Sequence, residues 1–135
     1  MGTEELKNRL EAAFKPARYE VEKGAIKRFL EAVGDYNPRW QTVAPPTFVL
    51  VIGLEQIQEQ LLDSFPAATI LHGSTELEYY RPVRAGDVLT VTAGVAAIRE
   101  RQGKMGTTSF ITIETSYNNQ EREPVAKSRQ LLISY

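Results

Sequence analysis

Hydrophobic residues recur every three or four positions in the first third of the chain, and this spacing predicts two amphipathic helices. The first apolar stripe consists of Leu6, Leu10, Ala13 and Phe14. We expect Thr3 to cap the start of this helix and Pro16 to end it. The second stripe consists of Ile26, Phe29, Leu30 and Val33. Gly34 follows it, where helices commonly close with a left-handed residue.

A third apolar stretch begins at Ala44-Pro45-Pro46 and predicts one long, buried helix. Proline is well tolerated in a first helical turn, where no amide hydrogen is needed. Residues 49–54 are apolar on nearly every face, so this half of the helix should be buried on all sides. The second half keeps only an apolar stripe. We expect the helix to end before Pro66, after roughly 30 Å.

From Leu71 onward the apolar period changes to two, which predicts β-strands. Four long strands are expected at 71–80, 88–98, 107–117 and 125–135, with a flexible hairpin loop at 101–106. Tyr19–Val21 should form a short edge strand. A twisted antiparallel sheet can curl around a helix. The order of elements therefore predicts an α+β hot-dog fold, an antiparallel sheet wrapped around one long central helix.

The length of 135 residues is enough for one hydrophobic core. We expect residues 1–135 to form a single hot-dog domain, with residues 1–16 as an N-terminal helical extension. Such a sheet would leave edges exposed, and proteins usually cover them. A homodimer that joins two sheets edge to edge is the expected solution.

The composition excludes several functional classes. Sixteen basic and seventeen acidic residues leave a net charge of −1, with no clustered basic surface for nucleic acid. There is no cysteine and one histidine, so thiolate and multi-histidine metal sites are excluded within one chain. We expect no metal and no cofactor. The charged N-terminus lacks the apolar core of a signal peptide, and no apolar run is long enough to span a membrane, so we expect a cytoplasmic protein.

Three motifs in order resemble the MaoC-like dehydratases, most closely their N-terminal-type hot-dog domain. They are Ala32-Val33-Gly34-Asp35-Tyr36-Asn37-Pro38, Ala44-Pro45-Pro46-Thr47-Phe48, and Tyr79-Tyr80-Arg81-Pro82-Val83-Arg84-Ala85-Gly86-Asp87. The resemblance runs from about Tyr19 to the C-terminus. Catalytic members hydrate trans-2-enoyl thioesters or dehydrate (R)-3-hydroxyacyl thioesters of coenzyme A or acyl carrier protein.

The family signature is Gly-Asp-x-Asn-Pro-Leu-His, in which Asp and His activate one water as paired acid and base. This chain keeps Gly34, Asp35, Asn37 and Pro38, but Trp40 stands where the histidine is expected. Indole cannot exchange protons near neutral pH. Catalytic members also have His-Gly at the start of the central helix, and the glycine amide donates to the thioester oxygen. Proline at 45 and 46 has no amide hydrogen to donate. The segment between Trp40 and Ala44 is also short for the family.

Each candidate residue has a structural and a functional interpretation. Asp35 and Asn37 are either turn-forming residues or retained catalytic residues. His72, on the strand after the central helix, is a surface residue or a substitute base that a dimer would bring to Asp35. The candidate substrate-binding residues are Trp40, Pro46, Thr47 and Phe48, which serve as core or as tunnel lining. Tyr79 and Tyr80 should place one ring on each sheet face, with one ring buried.

The leading hypothesis is an accessory subunit of a 3-hydroxyacyl dehydratase or enoyl hydratase. It would bind acyl thioesters of coenzyme A or acyl carrier protein and pair with a catalytic hot-dog chain; a homodimer or a higher oligomer stays open. One alternative is an active homodimeric hydratase or dehydratase that uses Asp35 with a substitute base such as His72. Another is a non-catalytic acyl-coenzyme A binding protein. A hot-dog thioesterase is a weaker option, because the Gly-Asp-x-Asn-Pro turn favours hydratases.

Overall fold

The computed structural model describes residues 2–65, 69–104 and 106–135. Its helices and strands follow one another in the order α1 (Thr3–Ala13), β1 (Ala17–Glu20), α2 (Lys23–Val33), α3 (Leu54–Ser64), β2 (Ile70–Tyr79), β3 (Val88–Gly103), β4 (Gly106–Asn118) and β5 (Pro124–Ser134). Two short 3-10 helices, Pro38–Gln41 and Pro46–Val51, lie between α2 and α3. The predicted α+β class is confirmed.

The five strands form one antiparallel sheet with the order β1-β3-β4-β5-β2. The predicted edge strand near Tyr19 is confirmed, because β1 pairs with β3 alone. The hairpin loop predicted at 101–106 is wrong. Strand β3 continues to Gly103, which pairs with Gly106. Polar side chains such as Arg101 and Gln102 continue the ladder there because neither face of this end is buried.

Helix α1 packs on β3 and on α3, with Leu6 and Leu10 buried. The predicted apolar stripe is therefore confirmed. Thr3 does not cap the helix as predicted. Gly2 is the N-cap residue, and Thr3 is the first helical residue. The acidic residues Glu4 and Glu5 remain in the first turn, where the helix dipole favours negative charge.

The prediction of one long central helix is wrong. The central segment is a 3-10 helix, Pro46–Val51, followed by a break and then α3. Gly53 causes the break because it adopts a left-handed conformation with φ of 79°, which a continuous right-handed helix cannot contain. The break also lets Val51 turn outward, where it is 48% exposed, although an all-round buried helix was expected.

The helical layer covers one face of the sheet in two halves. Phe48, Val49 and Ile52 of the central segment pack with Ile26 of α2 against one end of the sheet. The other end is covered by α1 and α3. That cluster comprises Leu6, Leu10, Phe14, Ile57, Leu61, Val95, Ile111, Ile113 and Leu132. In β4 the residues from Ser109 to Tyr117 alternate between buried and half-buried, so the predicted period of two is confirmed.

Helices in the described ranges are all too short or too polar to pass through a lipid bilayer.

Candidate functional site

The turn after α2 is held by backbone hydrogen bonds. Gly34 closes α2 in the left-handed conformation, with φ of 72°, as predicted. The amide of Asp35 donates to the carbonyl of Leu30 at 3.0 Å. These contacts satisfy carbonyls at the end of the helix and aim the next side chain away from the helix axis. We call residues 34–38 the signature turn.

Both carboxylate oxygens of Asp35 accept hydrogen bonds, one from the signature turn and one from the 3-10 helix that follows it. Oδ1 accepts from the backbone amide of Asn37 at 3.1 Å. Oδ2 accepts from the indole Nε1–H of Trp40 at 2.8 Å. Asp35 and Trp40 are both half-buried, so this charged hydrogen bond is only partly screened by water. Trp40 therefore binds the Asp35 carboxylate directly.

Asn37 has a structural position at this site. Its Oδ1 accepts from the backbone amide of Arg39 at 3.0 Å, which caps the 3-10 helix Pro38–Gln41. Its carbonyl accepts from the amide of Trp40 at 3.0 Å. The guanidinium of Arg39 lies 5.6 Å from the centroid of the Trp40 ring, within cation–π range. Together these contacts hold the indole in one orientation.

The start of the central segment is tied to the turn between β2 and β3. The amide of Ala44 donates to the carbonyl of Val83 at 2.8 Å, and Val43 and Arg84 form an isolated bridge. Pro46 then begins the 3-10 helix. The amide of Phe48 donates to the carbonyl of Pro45 at 3.0 Å, so it is already engaged in the helix.

Two cavities meet at Trp40. The larger, about 780 Å³, runs along α2 to the signature turn; we call it the α2 groove. Its lining includes Lys23, Ile26, Lys27, Leu30, Glu31, Asp35, Tyr36 and Trp40. The smaller, about 330 Å³, is the proline cleft between Pro45-Pro46 and Tyr79–Val83. Trp40 is the one lining residue that the two cavities share.

His72 lies elsewhere. It lines a third cavity of about 680 Å³ between α3 and β2, which we call the edge groove. The other lining residues include Leu54, Ile57, Leu61, Leu62 and Leu132. The imidazole Nε2 contacts the hydroxyl of Thr75 on the same strand. Within one chain the structure does not place His72 and Asp35 in the same cavity.

The four candidate substrate-binding residues fall in different environments. Trp40 and Pro46 line cavities. Thr47 is exposed and lines none of these three cavities. Phe48 is only 1% exposed, and its ring packs edge-to-face on Phe29 with centroids 5.7 Å apart. Phe48 thus lies in the core, which was the alternative interpretation of its aromatic side chain.

The prediction that one of the tyrosines at 79 and 80 is buried is wrong. Tyr79 is 39% exposed and Tyr80 is 48% exposed, because β2 is an edge strand that ends here. Both line the proline cleft. Partial burial, with a smaller contribution from nearby Tyr117, raises the pKa of Tyr79 to about 12. Tyr79 therefore stays neutral across the physiological pH range.

Sequence reasoning missed Lys23 and Lys27, which line the α2 groove. Their spacing of four residues places them one helical turn apart on one face, beside Ile26 and Leu30. That spacing was readable from the sequence, but the groove that makes it significant was not. Among the described residues, no three His, Cys, Asp or Glu side chains cluster closely enough to hold a metal ion.

Comparison with known proteins identifies one matching family and several related sequences. The family described as the FAS1-like dehydratase domain region matches residues 11–128. A UPF0336 protein of Streptomyces coelicolor is 37% identical over 102 residues, covering 64% of this chain and 68% of that protein. A UPF0336 protein of Thermobifida fusca is 26% identical over 133 residues, covering 87% of this chain and 85% of that protein.

Among solved structures, the HadBC (3R-hydroxyacyl-ACP dehydratase) complex of Mycobacterium tuberculosis contains a chain with a TM-score of 0.73 and 20% identity. The match covers 89% of this chain and 92% of that chain. The ChsH1–ChsH2 complex of the same organism gives a TM-score of 0.72 and 21% identity, covering 96% and 89%. These likenesses confirm the hot-dog fold. With the fold, the signature turn and the family match over residues 11–128 in agreement, the chain belongs to the MaoC-like hot-dog proteins of the FAS1-like dehydratase family.

Proposed function

We propose that this chain is an accessory subunit of a 3-hydroxyacyl dehydratase or enoyl hydratase, which binds acyl thioesters and pairs with a catalytic hot-dog chain. The observation that carries the proposal is the hydrogen bond from Trp40 to Asp35. Water activation needs a second proton carrier beside the carboxylate. Here the neighbouring group is an indole, which donates one hydrogen bond and exchanges no proton.

The start of the central segment supports the same proposal. Prolines at 45 and 46 have no amide hydrogen, and the Phe48 amide already donates to Pro45. A thioester oxygen placed here would meet fewer free donors than an oxyanion site requires. Both halves of the reaction, proton transfer and oxyanion stabilisation, would then depend on another chain.

The edge strand β2 is the surface that we propose for pairing. It is ten residues long and mostly exposed, whereas the opposite edge, β1, has only four residues. The edge groove beside it is apolar, and Leu62 and Leu71 are 56% and 47% exposed. The solved relatives named above are themselves described as two-protein complexes. A second hot-dog chain would cover the strand and the groove together.

The catalytic test uses the purified chain and crotonyl-coenzyme A. We expect no hydration above the background rate for the wild-type chain alone, measured by loss of enoyl-thioester absorbance. Co-purification with a chain that carries an intact Asp and His signature should restore turnover. Substantial turnover by the isolated chain, lost in Asp35→Asn, would refute the accessory role.

The pairing test changes one exposed leucine. We expect Leu62→Glu to shift the assembled protein toward monomer in analytical ultracentrifugation, because it puts a charge into the apolar edge groove. Val33→Glu is the matched control, since Val33 is similarly exposed, at 58%, and lies on α2 outside that groove. Equal behaviour of both variants would exclude the edge groove as the interface.

A second candidate function is an active homodimer in which His72 of one chain serves Asp35 of the other. The observation that favours it is the position of His72 in the edge groove, on the strand that a partner would cover. His72→Ala separates the two proposals. An active enzyme that loses turnover in this variant supports the homodimer, and one that is unaffected excludes His72 as the substitute base.

The third candidate is a homo-oligomeric acyl-thioester binding protein without catalysis. It would bind the same acyl thioesters as the accessory subunit but would need no catalytic partner. Calorimetric titration with acyl-coenzyme A tests the binding that both require. No heat and no shift in Tm at about millimolar ligand would count against both.

A further inference from the structure

The α2 groove has a cationic end and an acidic end. Lys23 and Lys27 line it one helical turn apart, and neither forms an ion pair with any of the described residues. Glu31 lies one helical turn beyond Lys27 and lines the groove together with Asp35. Helix α2 has eleven residues, so about 16 Å separate its two ends. A ligand that spans the groove would meet positive charge at one end and carboxylates at the other.

The wall between these ends is apolar. Ile26 and Leu30 of α2 form it together with the ring of Trp40. At the acidic end the charge of Asp35 is compensated by two hydrogen bonds, from Asn37 and Trp40. Among the described residues none donates a hydrogen bond to the carboxylate of Glu31, so this carboxylate can accept one from a ligand amide.

We propose that the α2 groove binds the phosphopantetheine arm of an acyl thioester, with its phosphate on Lys23 and Lys27 and its thioester beside Asp35 and Trp40. The arm has an anionic phosphate at one end, two amides, and a thioester at the other end. This order matches the groove, which runs from ammonium groups past Glu31 to the indole. The inference rests on the proposed function and assigns the carrier end of the ligand.

The same arm occurs in coenzyme A and in acyl carrier protein, so three probes separate the sources. They are octanoyl-coenzyme A, octanoyl-phosphopantetheine and octanoyl-pantetheine, which lacks the phosphate. Trp40 is the only tryptophan of the chain, so its fluorescence reports on the groove directly. The two phosphorylated ligands should bind about fivefold to thirtyfold more tightly than octanoyl-pantetheine.

The double variant Lys23→Ala/Lys27→Ala removes the cationic end. We expect it to weaken both phosphorylated ligands by about fivefold to thirtyfold and to leave octanoyl-pantetheine unchanged. Added salt should act in the same direction on the wild-type protein. Lys15→Ala/Lys104→Ala is the control, because it removes the same charge at exposed positions that do not line the groove. This control should bind like the wild type.

The outcomes distinguish acyl-thioester binding in general from phosphate recognition by Lys23 and Lys27. Wild-type protein that binds none of the three probes refutes the proposed function itself. Protein that binds all three equally, or whose phosphorylated ligands are unaffected by the double variant, refutes the assignment to Lys23 and Lys27 and leaves thioester binding standing. Equal affinity for the two phosphorylated probes supports the shared phosphate as the recognised group. Tighter octanoyl-coenzyme A binding that the double variant abolishes also supports the lysine site and identifies the nucleotide carrier.

Discussion

The Nε1–H of Trp40 donates a 2.8 Å hydrogen bond to Oδ2 of Asp35, five residues earlier in the chain. This contact ties the carboxylate of Asp35 to the 3-10 helix Pro38–Gln41, which follows the signature turn. A double-mutant cycle can measure it. We expect a coupling free energy of about 1 kcal/mol between Trp40→Phe and Asp35→Ala. The free energies of unfolding would be measured by urea denaturation monitored by circular dichroism.

The control for this cycle is Tyr36→Ala. Tyr36 is 76% exposed and makes none of these hydrogen bonds, so its replacement should change stability by less than about 0.5 kcal/mol. Additive effects of the two site substitutions would mean that the hydrogen bond does not hold the turn.

Substitution of Phe48 tests whether its side chain belongs to the hydrophobic core or to the ligand-binding surface. Because its ring is buried against Phe29, Phe48→Ala should lower the free energy of unfolding by about 3–5 kcal/mol. Phe48→Leu keeps most of the apolar volume and should cost about 1–2 kcal/mol. In the folded Phe48→Leu protein, acyl-thioester affinity should equal that of the wild type. A large loss of affinity would mean that the Phe48 side chain contacts the ligand.

Gly53 determines where the central segment breaks. An added Cβ would lie 3.5 Å from Cγ1 of Val91, which is ordinary contact, so the cost of Gly53→Ala comes from its positive φ. We expect a loss of about 1–2 kcal/mol, measured by chemical denaturation. Gly94→Ala in β3 is the matched control, because its Cβ meets nothing within 4 Å and its φ is not positive. That change should be neutral or slightly stabilising. Equal effects would show that the backbone at Gly53 is relaxed.

Glu114 on the outer face of the sheet gives a pH-dependent prediction. Its carboxylate contacts Lys127 at 2.8 Å and Arg129 at 3.4 Å. The hydrogen bond from Lys127 and the two positive charges lower the pKa of Glu114. A lowered folded-state pKa stabilises the protein above the unfolded pKa, and the contribution is lost as pH falls through the folded pKa.

Glu114→Gln should therefore reduce Tm slightly at neutral pH, and the difference from the wild type should shrink as the pH falls through the lowered folded-state pKa of Glu114. The effect is small because both side chains of the pair are partly exposed to solvent. Glu100→Gln, at an exposed position with no ion pair among the described residues, should show no such trend. A stability difference that grows on acidification would contradict the direction of the shift.

The sheet was the most predictable part of the fold. Alternation in β4, with Ile111 and Ile113 inward, follows directly from one buried face. The central segment was less predictable, because residues 46–62 contain apolar residues wherever a helix would place them. Gly53 gave the only local signal of the break, and a glycine inside an apolar run is compatible with a continuous helix.

The residues of the signature turn were identified from the sequence, but their contacts were not. The resemblance to the MaoC-like signature predicts that Trp40 stands in place of an acid-base residue, and this stays a prediction. It does not indicate that the indole turns toward Asp35, because that orientation depends on the Asn37 cap and the Arg39 contact. The α2 groove also depends on how α2 packs against the signature turn, and residues 23–41 taken as a string do not specify a cavity.

The exposed edge of strand β2 affects how the protein behaves during expression and purification. Ten residues at the sheet margin offer free backbone amides and carbonyls along a mostly exposed face, beside an apolar channel. Such a strand can recruit identical strands from other molecules as readily as its proper companion. Production of the chain by itself should favour self-association at high concentration, whereas co-expression with the partner chain proposed above should raise the recovered yield.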